Sequence, residues 1–160
     1  MSYQHIKSRL DAGETIVLDG ATGTELQRRG ATMDPASWCG PASLDNSDLL
    51  TQIHLDYINA GSDIITANTF ASSRLMLTEA GYGDRVEEIN RIAVEEALRA
   101  RDLAPAGRNI AVAGSLSHMV PIAEGAAEGE SAAESTSVLH LGGPEAEAAE
   151  PAGDGGAGGE

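Results

Sequence analysis

Ile16-Val-Leu-Asp-Gly-Ala-Thr-Gly-Thr-Glu-Leu-Gln-Arg-Arg-Gly30 is the stretch on which the fold turns. Its apolar start, Ile16-Val17-Leu18, reads as a short strand covered on both faces. The strand ends at Asp19, and Gly20 and Gly23 let the backbone turn sharply before a polar segment begins. A carboxylate and several free backbone N–H groups therefore stand at the mouth of a strand. In parallel α/β proteins that is where ligands bind.

Working outward, the same strand-then-helix signal recurs. Residues from about Asp48 to Ala60 carry Leu50, Ile53 and Tyr57 at helical spacing, with Gly61 as the stop. Ile64-Ile65-Thr66-Ala67 is the next apolar run and leads into Asn68-Thr69-Phe70. A short helix is expected over Ser73–Ala80. Asp84 and Glu87 have the spacing of a capping box, opening a helix with Val86, Ile89, Ala93 and Ala97 on one face. Pro105 and Gly107 end it, and Ile110-Ala-Val-Ala113 is a third buried strand before Gly114-Ser115. Strands separated by helical crossovers are parallel, because hairpins need far shorter connections. The fold class is α/β, with too few strands for a closed barrel.

The chain has 160 residues and a net charge of −15. Nucleic acid is excluded as a partner, since phosphate binding needs a basic face. No apolar run is long enough to span a bilayer, and the first residues lack the apolar core of a signal peptide, so a cytoplasmic location is expected. No Lys or Arg follows Arg108. From Ala123 onward Ala, Gly, Glu, Ser and Pro dominate, and Val138-Leu139-Leu141 is the only bulky apolar cluster. Such a composition buries too little apolar surface to offset the entropy of ordering, so 1–122 is expected to be the folded domain and 123–160 a disordered acidic tail.

Asp19 either orients a ligand amine or caps the turn that follows it. Gly20 and Gly23 do not have the G-x-G-x-x-G spacing, and no Gly-Lys-Ser/Thr follows, so a nucleotide site has little support. Asn68-Thr69 follows the second strand as Asp19-Gly20 follows the first, and Ser115 follows the third. Each alone reads as structural more than functional; together, if the strands are parallel neighbours, they converge on one rim. His54 lies mid-helix and reads as a packing residue. His118 could approach the rim from the third strand, while His5 and His140 lie in poorly specified segments. Cys39, the only cysteine, reads as a small packing residue, and Trp38 as a filler beneath the rim loops. No histidine pair or His/Cys pair has the spacing of a zinc site.

Asp19-Gly-Ala-Thr-Gly-Thr-Glu-Leu26, Ile53-His-Leu-Asp-Tyr-Ile-Asn-Ala-Gly-Ser-Asp-Ile-Ile-Thr-Ala-Asn-Thr-Phe70 and Val112-Ala-Gly-Ser115 together resemble the homocysteine S-methyltransferase family, over roughly residues 10–127. Thr22 stands where many members carry Met. The resemblance implies the first three strands of a (β/α)8 barrel and transfer of a methyl group from a small donor to the thiol of homocysteine, giving methionine. It implies that Asp19, Gly20 and Thr24 line the homocysteine site, with Asn68 and Thr69 beside it and Ser115 on the neighbouring strand. It also implies zinc held by three cysteine thiolates, which lowers the pKa of the substrate thiol. Cys39 matches none of those ligands. The chain is therefore expected to keep part of the substrate rim, lack the zinc ligands, and be truncated or frame-shifted near Ala127. The alternatives are a non-catalytic fragment that complements a separate second half-barrel and, with less support, a small phosphate-binding α/β protein.

Overall fold

The computed structural model describes residues 2–117. The expected boundary at 122, the tail, His118 and His140 lie outside the described residues.

The centre of the fold is a parallel pair, β1 (Ile64–Thr66) and β2 (Ala111–Ala113), with Ile64, Ile65 and Thr66 opposite Ala111, Val112 and Ala113. The run Ile16–Leu18 lies parallel on the other side of β1, through Asp63 N to Val17 O (2.8 Å) and Asp19 N to Ile64 O (3.0 Å). It forms one bridge, Leu18 to Ile64, and not the full strand the sequence predicts. Nor is it covered on both faces, since Val17 and Leu18 are 47% and 64% exposed. The physical reason is that nothing among the described residues pairs with its outer edge, so only one side of the ladder is built.

Helices pack on one face of this sheet. α3 (Ser47–Ala60) crosses from the first run to β1, and α5 (Val86–Asp102) from β1 to β2. Ile65 of β1 is fully buried with Ile58, Ala97, Ala100 and Ile110. A second cluster joins Leu50 and Ile53 of α3 to Leu26 of α2 (Thr22–Arg28), Cys39, Ala42 and Ala71. Tyr57 packs against both clusters. Of the apolar face expected on α5, Ile89, Ala93 and Ala97 are buried, Val86 is only partly buried, and Ala100 extends the face. Small residues there let α3 approach closely.

Local signals explain most of the boundaries. α3 stops at Gly61, whose φ of +116° suits a residue without a Cβ. Ser73 caps α4 (Arg74–Glu79), its Oγ accepting from Met76 N at 3.3 Å. The capping box at Asp84 does not form. Gly83–Arg85 is a tight 3-10 turn, so Asp84 sits inside it, and the helix starts at Val86 without a side-chain cap. Arg85 instead pairs with Glu88 at 2.8 Å. An unforeseen helix, α1 (Ser2–Asp11), precedes the first run. Arg9 ties it to the sheet through Asp63 at 2.7 Å, and the same carboxylate accepts from Val17 N at 2.9 Å.

Candidate functional site

Because the three parallel segments run the same way, their C-terminal ends share one side of the sheet. A cavity of about 360 Å³ opens there, lined among others by Asp19, Gly20, Asn68 and Ser115. Its size lies toward the lower end of small-molecule sites, about 300–1,000 Å³. Four of the six predicted site residues therefore meet although they come from different parts of the chain.

Asp19 is half-buried and reaches across to β1. Its Oδ2 accepts from Thr66 N at 2.6 Å and its Oδ1 from Thr66 Oγ1 at 2.9 Å. Burial pushes its pKa upward, partly countered by the Thr66 hydrogen bonds. Among the described residues no Lys, Arg or His forms an ion pair with it, whereas the part-buried carboxylates Asp63, Glu25 and Glu96 each pair with an arginine. A half-buried carboxylate without a cationic partner is complementary to an ammonium group.

Gly20 and Gly23 serve this site through space. A Cβ on Gly20 would lie 2.8 Å from Tyr57 Cε1, and one on Gly23 would lie 2.7 Å from Cys39 Sγ. The loop at Gly20 closes down onto α3, and the first turn of α2 at Gly23 onto the Trp38-Cys39 corner, only because these side chains are absent.

Asn68 is buried, and its Nδ2 donates to Cys39 O (2.9 Å) and Ser43 Oγ (3.2 Å). Both amide hydrogens are committed to the 39–43 loop, so a ligand would meet Asn68 as an acceptor or a fixed wall. Thr69 is not among the cavity-lining residues. Its Oγ1 accepts from Ser115 N and donates to Ser115 O, each at 2.8 Å, which locks the end of β1 to the end of β2. Thr24 is not among them either. It lies on the exposed side of α2, roughly half a helical turn round from Thr22, and Thr22 and Gly23 line the cavity in its place.

Several lining residues have no site role in the sequence reading, among them Trp38, Cys39 and Phe70. Thr66 was a readable one, since strand alternation puts it on the face opposite buried Ile65.

A three-thiolate zinc site does not fit the residues described. Among them no group of three or more His, Cys, Asp or Glu side chains is gathered to hold a metal. Cys39 is the single cysteine of the sequence, and burial pushes its thiol up to about 11, away from the thiolate that zinc requires.

Known proteins match this arrangement. The family model for homocysteine S-methyltransferase matches residues 16–140. A selenocysteine methyltransferase from Astragalus bisulcatus is 38% identical over 93 residues, 58% of this chain and 28% of that protein. A homocysteine S-methyltransferase from Bacillus subtilis (strain 168) is 32% identical over 100 residues, 62% of this chain and 31% of its own length. The crystal structure of a homocysteine methyltransferase from Escherichia coli, in metallated form, superposes with a TM-score of 0.59 and 27% identity, covering 68% of this chain and 40% of that one. The chain thus spans less than a third of the length of these two relatives. With 125 of its 160 residues matched (16 to 140 inclusive), the chain belongs to the homocysteine S-methyltransferase family.

Proposed function

We propose that this chain provides the homocysteine-binding rim of a methyl-transfer reaction that gives methionine. The observation that carries the reading is the cavity at the strand ends, with the unpaired Asp19 carboxylate on its rim. Asp19 receives the substrate ammonium. Trp38, Cys39 and Phe70 cover the methylene chain, and Asn68 and Ser115 bound the far side. Thr69 positions Ser115, and Thr24 supports the rim from α2. The thiol is the nucleophile and a small methyl donor supplies the methyl group.

Binding and turnover separate in this chain taken alone. A free thiol with a pKa of about 8.5 is mostly protonated at neutral pH, and the residues present offer no three-thiolate zinc to change that. The 160-residue chain therefore binds homocysteine without methylating it appreciably. The test is calorimetric titration of L-homocysteine into the chain and its Asp19→Asn variant, beside 4-mercaptobutyrate, which lacks the ammonium. Homocysteine affinity should fall about tenfold in the variant, as for loss of a hydrogen bond to a charged group. The deaminated analogue should bind both proteins equally weakly. Unchanged homocysteine binding in the variant would remove Asp19 from the site.

A second reading is favoured by the exposed Val17 and Leu18 beside an open strand edge: the chain works with a separate polypeptide that supplies further strands and thiols. A stoichiometric complex restoring turnover would support it. A monomer with the homocysteine affinity of a full-length relative would remove it.

A further inference from the structure

Trp38 is the only non-glycine residue at positive φ among the described residues, at +48°. A bulky side chain in the left-handed region is strained, and it persists only where surrounding bonds over-determine it. Here those bonds come from one residue. Asp34 N donates to Trp38 O and Trp38 N to Asp34 O, both at 2.8 Å, closing the loop 34–38 at its base. Asp34 Oδ1 then accepts from Ala36 N (2.8 Å), Ser37 N (2.8 Å) and Ser37 Oγ (3.1 Å), filling the loop from inside. Ser37 is fully buried there.

The strained backbone sends the Trp38 indole back onto α2. Its Cη2 and Cζ3 lie 2.9 and 3.1 Å from where a Gly23 Cβ would be, and the ring forms part of the cavity wall. At 3.5 Å, Trp38 Nε1 to Gln27 Oε1 is too long to hold the ring by itself.

We propose that Asp34 is a positioning residue of the cavity: by accepting three hydrogen bonds inside the 34–38 loop, its carboxylate holds that loop in shape, fixes Trp38 as a wall against Gly23 and so sets the affinity of the site for a small amino-acid thiol. The affinity part rests on the homocysteine reading above; the positioning part does not.

Trp38 is the chain's single tryptophan, so emission excited selectively at the indole reports on this wall, and the indole bands of the near-ultraviolet dichroism can be told from those of the three tyrosines. The experiment compares the full chain with Asp34→Ala and Asp34→Asn, titrating each with L-homocysteine. Asp34→Ala should shift the emission to the red, lose near-ultraviolet ellipticity and weaken homocysteine binding about tenfold, as for loss of charged hydrogen bonds. Asp34→Asn keeps an acceptor at the same atom and should restore all three. A wild-type spectrum in Asp34→Ala, or an Asn variant as disturbed as the Ala variant, would overturn the positioning role. Hydrogen exchange on the unmutated chain decides the matter even if Asp34→Ala fails to fold. The amides of Ala36 and Ser37 should be protected, and open-chain exchange rates there would overturn it. Absence of any response to homocysteine in the unmutated chain would overturn the affinity part and the substrate reading, while the spectra still decide the positioning.

Discussion

A methyl group added at Gly20 would meet the Tyr57 ring at 2.8–2.9 Å, and one at Gly23 would meet Cys39 Sγ at 2.7 Å and the Trp38 ring at 2.9 Å. Both contacts are too short to accept without movement, so each substitution should cost about 1–3 kcal/mol, as overpacking does. The Gly20→Ala cost should shrink when Tyr57→Leu is added, because the clash lies with a side chain; a double-mutant cycle in urea checks this, and additive costs would contradict it. His54 is the other residue whose chemistry is set by its surroundings. It is fully buried with neither ring nitrogen partnered, and burial drives its pKa down to about 4. The unfolded chain takes up this proton near 6.5 and the folded chain near 4, so stability is full above 6.5 and is lost as the pH falls toward 4. The shift corresponds to about 3 kcal/mol. His54→Leu should flatten that decline without loss at pH 7, since no hydrogen bond is forfeited. Thermal unfolding between pH 7 and 4 would show it, and equal slopes in both proteins would contradict it.

At the scale of elements, α2 carries ion pairs as well as the buried Leu26. Arg28 and Arg29 both pair with Glu25 at 2.6 Å, and Arg29 also reaches Asp56 of α3 at 2.7 Å. These guanidinium groups hold the Glu25 carboxyl down at about 2. The sign is that of a depressed acid: the contribution is present above the ordinary carboxylate range and is lost as pH falls toward 2. Glu25→Gln should therefore loosen α2 at pH 7 and remove that part of the acid dependence. Exchange of the α2 amides checks this; unchanged protection would show the helix is held by Leu26 alone. Elements were legible where periodicity and punctuation agreed. The α3 face of Leu50, Ile53 and Tyr57 followed by Gly61 and the α5 face of Ile89, Ala93 and Ala97 both read true. α1 was not, because Ile6 is its one buried apolar residue and what fixes it is Arg9 reaching Asp63, 54 positions away. Asp84 misled for a related reason: the spacing of a capping box does not show that a tight turn will occupy the cap position.

For the whole molecule, parallel strand order was enough to bring Asp19, Asn68 and Ser115 to one rim, because equivalent ends of parallel strands must share a side. What stayed hidden was set by packing between distant segments. The wall at Trp38 depends on a left-handed backbone angle that no pattern announces, and Thr69 is turned to Ser115 and away from the cavity. The chain as a whole should hold less than stoichiometric zinc after dialysis at neutral pH, since Cys39 is its one thiol and is buried. Metal analysis reads this directly, and one tightly held zinc per chain would mean that residues beyond those described supply ligands. The central claim is that the strand-end cavity is where homocysteine binds. The most direct test is amide NMR of the chain titrated with L-homocysteine. Shifts should concentrate at Gly20, Gly23, Cys39, Asn68 and Ser115 and spare the outer face of α5 at Glu87, Arg91 and Glu95. Shifts on that outer face with none at the strand ends, or none anywhere at saturating homocysteine, would contradict it.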